Sequence, residues 1–225
     1  VAARRRRGDI LLLLNNDIEV MAGDWLRELV SHAVRPDVGA VGAKLLYADG
    51  TLQHGGVVTG AGGVAGHYRL GVPRGDAGHH GSLAMVREVA AVTAACMALR
   101  RETFASVGGF DAAHLAVAFN DVDLCLRIRE AGGRILWTPF AELYHLESAS
   151  RGEDVTAEKA RRFAGEVAYM RRRWGRTLLQ DPFYNSNLEL DGLADALVAS
   201  PRHMPPWHMQ PWQPFRKNRF IPGPR

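Results

Sequence analysis

Asp9-Ile-Leu-Leu-Leu-Leu-Asn-Asn-Asp17 is the stretch on which the reading of this chain turns. Its five consecutive aliphatic residues, Ile10 to Leu14, are too few for a typical helix and suit a strand buried on both faces, as in a covered parallel or mixed sheet. The run stops on three polar residues at the carboxyl end of that strand. In open α/β sheets this edge is where ligands bind, so two amides and a carboxylate there are candidates to meet a metal and a polar substrate. Asn and Asp also stop strands for purely local reasons, by bonding their own backbone. On this segment alone both readings stand.

The composition narrows the setting. With 225 residues, 47% hydrophobic and 23% charged, the chain can bury one sizeable core, which predicts a single α/β domain with extensions. Cys96 and Cys125 lie in apolar surroundings without Cys-x-x-Cys spacing and read as buried, reduced thiols of a cytoplasmic protein. No apolar run approaches the ~20 residues of a membrane span, and the start has no signal-peptide core. The expected location is therefore cytoplasmic, with at most a peripheral contact at the inner face of a membrane. The net charge of +4 is concentrated at Arg4 to Arg7 and along Lys159, Arg161, Arg162, Arg171, Arg172, Arg173 and Arg176. These clusters are either solvated faces or contacts for an anionic partner. No nucleic-acid-binding motif accompanies them, so nucleic acid is not an expected partner.

Gly23 to Arg35 carries Trp25, Leu26, Leu29, Val30 and Ala33 at helical spacing and ends before Pro36. Val38 to Tyr47 and Thr51 to Thr59 read as two strands of a hairpin around Asp49-Gly50. Gly60 to Gly81, rich in glycine, histidine and charge, reads as a mobile loop beside the site. Val89 to Leu99 is expected as a buried strand, and Arg101 to Val107 as a short helix closed by Gly108-Gly109. Val122, Cys125, Ile128 and Ala131 form a helical stripe that stops at Gly132-Gly133, which places Asn120 and Asp121 at the helix's amino end. A carboxylate there caps free N–H groups and is kept ionised by the helix dipole, as a general base must be. Asp121 and Asp123 can divide those two roles. Arg134 to Pro139 is a further strand, and the segment from Ala141 leads to His145. That histidine is either structural or, if it ends a strand beside Asp17, half of a carboxylate–imidazole pair able to hold Mn²⁺ or Mg²⁺. Ala157 to Trp174 reads as a long helix with arginines on one side and Phe163, Val167, Met170 and Trp174 on the other. Leu188 to Ala199 is expected as a short helix, and Pro201 to Arg225, dense in Pro, Trp and basic residues, as an irregular tail.

Four motifs occur in order: Leu13-Leu-Asn-Asn-Asp17, Gly108-Gly-Phe-Asp111, Asn120-Asp-Val-Asp-Leu-Cys-Leu-Arg127 and Tyr144-His-Leu-Glu-Ser-Ala-Ser-Arg151. Together they resemble glycosyltransferase family 2, particularly its rhamnosyltransferase-like and galactofuranosyltransferase-like members. The resemblance runs from about Arg4 to about Leu188 and takes in Asp181-Pro-Phe-Tyr-Asn185. It implies a GT-A fold, an α/β architecture with a mixed, mainly parallel sheet flanked by helices. It further implies a nucleotide-diphosphate-sugar donor, a divalent metal (Mn²⁺ or Mg²⁺) and inversion at the anomeric carbon. Residue by residue, Asp17 matches the last acid of the family's metal-binding DxD-like motif, and His145 the histidine that completes that metal site. Asp121 matches the catalytic base and Asn120 the position that orients the acceptor. Asn15 and Asn16 become neighbours in the donor pocket. Gln53-His54 and Gly66-His67 resemble a segment near the sugars, with structural histidines as the alternative. Ala95 and Cys96 lie on the strand that runs beside the donor sugar, where core packing explains them equally. Arg151 could reach a phosphate, against the default of a surface arginine. Asn15 and Asn120 stand where the family has acids, and each motif keeps one carboxylate.

Family members begin with a strand, helix and strand that bind the nucleotide, whereas this chain enters near the helix before the Asn-Asn-Asp strand. The expectation is a carboxyl-terminal part of a longer enzyme, with 1–190 in the GT-A domain, 191–225 as tail, and a sheet edge left exposed. The implied reaction is metal-dependent glycosyl transfer from the donor to a hydroxyl of a saccharide or polyprenyl-linked acceptor, and the fragment alone is not expected to be active. A non-catalytic scaffold that binds a sugar or a protein partner is the alternative. A nucleotidyltransferase also sets metal carboxylates at strand ends but does not explain Asn120-Asp121 or the Tyr144-His145 motif.

Overall fold

The computed structural model describes residues 8–146, 156–190, 195–199 and 202. Its centre is β3 (Val38–Leu46), buried along all nine residues. The sequence Val-Gly-Ala-Val-Gly-Ala-Lys-Leu-Leu makes this strand thin, so other elements approach it closely. A Cβ on Gly39 would stand 2.1 Å from Ile128 of α3 (Asn120–Glu130), and one on Gly42 would stand 2.5 Å from Val92. On the other face Val41, Ala43 and Leu45 pack with Leu29 and Ala33 of α1 (Trp25–Ala33). The sheet thus has a core on each side, and the larger one, around Trp137, Met97 and Leu124, lies beneath α3 and α4 (Ala157–Leu179).

The seven-stranded sheet has the order β1 (Ile10–Leu14), β8 (Cys96–Arg100), β3, β9 (Arg134–His145), β2 (Ile18–Val20), with β4 (Leu52–His54) added on β3 and β7 (Arg87–Glu88) on β9. It is mixed and flanked by helices, as expected, but its balance is antiparallel. Only β3 and β9 run parallel among the described pairings. β1 is also not buried on both faces. It is an edge strand paired with β8 alone, and only Leu11 is buried while Leu14 is 45% exposed. A continuous apolar run marks a strand but cannot tell an interior position from an edge. β1 and β2 sit at opposite ends of the strand order, so Asn15, Asn16 and Asp17 carry the chain across the end of the sheet. Asn15 N–H donates to the Ala95 carbonyl at 2.9 Å and Leu146 N–H to that of Asp17 at 2.9 Å, which fixes this crossing at both ends.

Other boundaries moved for identifiable reasons. The expected Thr51–Thr59 strand breaks at Gly55-Gly56, where Gly56 has φ 95° and lies against Val89. Beyond it β5 (Val57–Thr59) pairs with β6 (Ala65–His67) in a separate ribbon. The segment expected as a mobile loop is therefore folded, with Val64 and Tyr68 buried. The strand expected over Val89–Leu99 exists only from Cys96, and a turn occupies the residues before it. β9 passes through Pro139 without ending. Four residues, Thr138 to Ala141, bulge opposite Ala43, where a residue lacking an N–H costs no ladder bond. Leu188 and Leu197 form an antiparallel bridge in place of the expected short helix, and Arg69 grips Asp195 at 2.6 Å beside it. α4 extends past Trp174, and its buried seam is Glu166, Met170, Trp174 and Leu178, while Phe163 is half exposed. No described helix is long and apolar enough to cross a membrane.

Because Val92 is branched at Cβ and cannot swing away from Gly42, Gly42→Ala is expected to destabilise the fold by about 1–3 kcal/mol. Gly165→Ala, on the exposed face of α4 with open space around it, is expected to stabilise by about 0.5–1 kcal/mol. Urea unfolding midpoints of the two variants should move in opposite directions.

Candidate active site

The carboxyl end of β9, the chain crossing above it and the start of α3 enclose a cavity of about 680 Å³ whose walls include Asn15, Gln53, His67, Ala95, Asp121 and His145. His145 is the last residue of β9 and is 4% exposed. Its Nδ1 lies 2.7 Å from Gln53 Oε1, while Gln53 Nε2 donates to the His145 carbonyl at 3.3 Å. An amide oxygen only accepts, so this pairing assigns the proton of the neutral ring to Nδ1 and makes Nε2 an acceptor. Nε2 faces Asn15 Nδ2 at 3.1 Å and Asp17 Oδ1 at 3.1 Å. Asp17 is not among the cavity walls and meets them through His145; its Oδ1 is itself buried and accepts no hydrogen bond among the described residues. A carboxylate oxygen and an imidazole lone pair brought this close are the donor set of a divalent cation. The residues present therefore fit such an ion. No group of three or more His, Cys, Asp or Glu side chains converges among the described residues, so a cation here would take its other ligands from substrate or water.

At the opposite wall, Asp121 sits in the first turn of α3. Its Oδ1 accepts from Val122 N–H at 2.8 Å and its Oδ2 from Ala94 N–H at 3.0 Å. Asp123 is fully buried and bound to Arg127 at 2.8 Å, Trp174 Nε1 at 2.9 Å and Arg173 at 3.3 Å. Of the two carboxylates at this helix start, Asp121 faces the cavity and Asp123 ties α3 to α4. Asn120 also lines the cavity and donates to the Val117 carbonyl at 3.3 Å. Asp111 braces the same region from outside, accepting from Tyr169 OH at 2.6 Å. This bond, with help from His114, pushes its carboxyl down to about 2.

Three of the expected residues stand elsewhere. His54 is wholly buried and does not line the cavity. It accepts from Thr93 N–H at 3.4 Å through Nε2, so its Nδ1 carries the proton and meets His67 Nδ1 at 2.8 Å. His67 is the imidazole that reaches the cavity wall. Cys96 opens β8 one residue past Ala95, is wholly buried in the core that holds Leu29, and does not line the cavity. Burial pushes its thiol up to about 12. Asn16 is exposed on the crossing and does not line the cavity. Arg151 lies outside the described residues, as do Arg4 to Arg7 and the tail beyond Arg202. Sequence reasoning quoted Gln53 only as part of a motif, although its place one residue before His54 on a predicted strand was a signal that the two face opposite sides.

Residues 2–177 match the sequence profile of the glycosyltransferase-like family 2. The chain belongs to this family. It is 53% identical over 201 residues to the uncharacterised protein y4gI of Sinorhizobium fredii, covering 89% of this chain and 22% of that protein. It is 46% identical over 190 residues to the O-antigen biosynthesis protein RfbC of Myxococcus xanthus, covering 84% of this chain and 14% of that one. The chain thus spans less than a quarter of the length of either relative. Among solved structures, GalNAc-T7 with UDP, GalNAc and Mn²⁺ shares the fold, with a TM-score of 0.51 at 16% identity over 66% of this chain and 30% of that one. The mixed sheet with flanking helices is accordingly the GT-A fold.

Burial holds the His54 pKa well below the ordinary 6.5, so the folded chain keeps this ring neutral where an unfolded one takes up a proton. Its stabilising contribution is complete above about pH 6.5 and is lost as the pH falls below that value. In a histidine NMR titration from about pH 8 to 5.5 the His54 ring signals should stay fixed, and urea midpoints should fall over the lower part of that range.

Proposed function

We propose that this chain carries the metal side and the catalytic base of an inverting, metal-dependent glycosyltransferase acting on a nucleotide-diphosphate sugar. The observation that supports this most is that His145 and Asp121 line one cavity, with Asp17 held against His145 at 3.1 Å, in a chain of family 2. Asp17 and His145 are the residues that would hold Mn²⁺ or Mg²⁺. A cation there supplies charge neutralisation of the leaving diphosphate. Gln53 keeps the proton on the far nitrogen of His145, so that Nε2 remains available as a ligand.

Asp121 takes the proton of the acceptor hydroxyl as its oxygen attacks the anomeric carbon. The Ala94 and Val122 N–H groups fix the direction of its carboxylate. Asn120 beside it is placed to orient the acceptor, and Asn15 and Ala95 line the donor end. Asp121 is the one carboxylate lining the cavity among the described residues, which suits a single displacement that inverts the anomeric carbon. The acceptor class is a saccharide or a polyprenyl-linked saccharide in bacterial polysaccharide or cell-wall synthesis. The O-antigen relative supports this, as does 35% identity over 74 residues to the N-acetylglucosaminyl-diphospho-decaprenol L-rhamnosyltransferase of Mycobacterium tuberculosis. That alignment covers 33% of this chain and 24% of the relative. In this reading residues 1–190 belong to the GT-A domain, 191–225 form an appended tail, and the work is done at the cytoplasmic face of a membrane.

Transfer assays on the full-length protein with dTDP-L-rhamnose and with UDP-glucose, with and without Mn²⁺, test the proposal. Asp121→Asn is expected to lower kcat by about 10²–10⁴-fold while donor binding persists. Asp17→Ala is expected to raise the Mn²⁺ concentration needed for half-maximal rate. Full activity of Asp121→Asn would remove the base assignment, and metal-independent activity of the wild type would remove the cation site.

A further inference from the structure

Glu166 is the one charged member of the buried seam of α4, 3% exposed in line with Met170, Trp174 and Leu178. A buried carboxylate is costly unless its charge is answered, and no cation among the described residues pairs with it. Its two oxygens are instead taken by backbone. Oε1 accepts from Val117 N–H at 3.0 Å and Oε2 from Ala118 N–H at 3.1 Å. Hydrogen bonds to an ionised acceptor are the strong ones, and two successive N–H groups turned toward one anion form a concave nest. Glu166 seats both carboxyl oxygens in such a nest. Met170, Trp174 and Leu178 fasten the helix to the core without it, so the carboxylate acts on the loop rather than on the helix.

What the nest holds is the approach to α3. Val117, Asn120 and Asp121 all line the cavity, and the Val117 carbonyl receives Asn120 Nδ2. Phe119 then takes φ 60°, a left-handed conformation that a bulky residue rarely adopts without support, and its ring leans on Phe163 of α4 at 5.7 Å. The helix begins at the next residue. We infer that Glu166 is a positioning residue for Asp121. By clamping Val117 and Ala118 it sets the point where α3 starts, and so where the Asp121 carboxylate stands against Ala94 N–H. The assignment rests on the reading of Asp121 as the base, whereas the geometry it predicts at Ala94 does not.

The test compares the full chain with Glu166→Gln, Glu166→Asp and Leu178→Ala, the last removing a seam residue remote from the loop. Glutamine offers one acceptor oxygen and turns an NH₂ toward an N–H, so one of the two bonds is lost. The Ala94 amide lies in a separate segment and reports the position of Asp121 by NMR. Its resonance should move and its hydrogen exchange quicken in Glu166→Gln, recover in part in Glu166→Asp, and stay as in the wild type in Leu178→Ala. With dTDP-L-rhamnose as donor, kcat per folded molecule should fall about 10–100-fold in Glu166→Gln with donor KM unchanged. An Ala94 amide identical in Glu166→Gln and wild type, or displaced equally in Leu178→Ala, overturns the inference. Absence of transfer by the full-length wild type would count against the proposed function, and the Ala94 comparison would still decide the role of Glu166.

Discussion

The hydrogen bond from the Ala94 backbone N–H to the Asp121 carboxylate fastens the two walls of the cavity to each other. Ala94 is the middle of a three-residue turn in which every residue is tied to something different. Thr93 N–H goes to the buried His54, Ala95 N–H to Thr93 Oγ1, and the Ala95 carbonyl receives Asn15 N–H from the chain crossing above. Through this turn the start of α3, the histidine pair and the Asn15–Asp17 crossing hold fixed positions relative to one another. Small side chains are what make it workable, since Ala94 and Ala95 leave space where bulk would fill the cavity.

The same economy of space runs through the sheet beneath. β3 can be buried along its whole length because Gly39 and Gly42 admit Ile128 and Val92 to within what would be a clash for alanine. β3 and β9 run parallel at the centre, and β4, paired with β3, brings Gln53 to His145 at the end of β9. His145 lines the cavity with its acceptor nitrogen against Asp17, and Asp121 lines it held by two backbone N–H groups. The proposed transfer asks for a cation at the leaving group and a base at the attacking one, and these are the residues proposed for the two roles.

Much of this was legible in the sequence where a local rule governs. The apolar run to Leu14, the helix from Trp25, the strand from Val38 and the start of α3 at Asn120 follow from periodicity, punctuation and capping, and the structure has them close to those limits. That Asp121 and His145 line one cavity, with Asp17 against His145, could be anticipated only from the order of four motifs and their resemblance to a family, since no spacing rule joins residues more than a hundred positions apart. What the sequence hid depends on tertiary partners. An aliphatic run does not say whether it lies at an edge, so β1 was expected inside a mainly parallel sheet. Cys96 and Ala95 are neighbours in sequence and pack in one core, yet Ala95 also lines the cavity while Cys96 is sealed inside, a difference that only tertiary packing sets. Glu166 looked like one more polar residue of a charged helix, because its partners are backbone N–H groups that carry no sequence signature.

The central claim is that Asp17 and His145 form the protein's end of a cation site facing Asp121. Electron–nuclear double resonance of Mn²⁺ bound to the chain in the presence of UDP addresses it directly, because hyperfine coupling reports nitrogen ligands one by one. The account predicts coupling to a single imidazole nitrogen that disappears in His145→Ala and survives in His67→Ala. Coupling that persists in His145→Ala, or its absence from the wild-type complex, would contradict it.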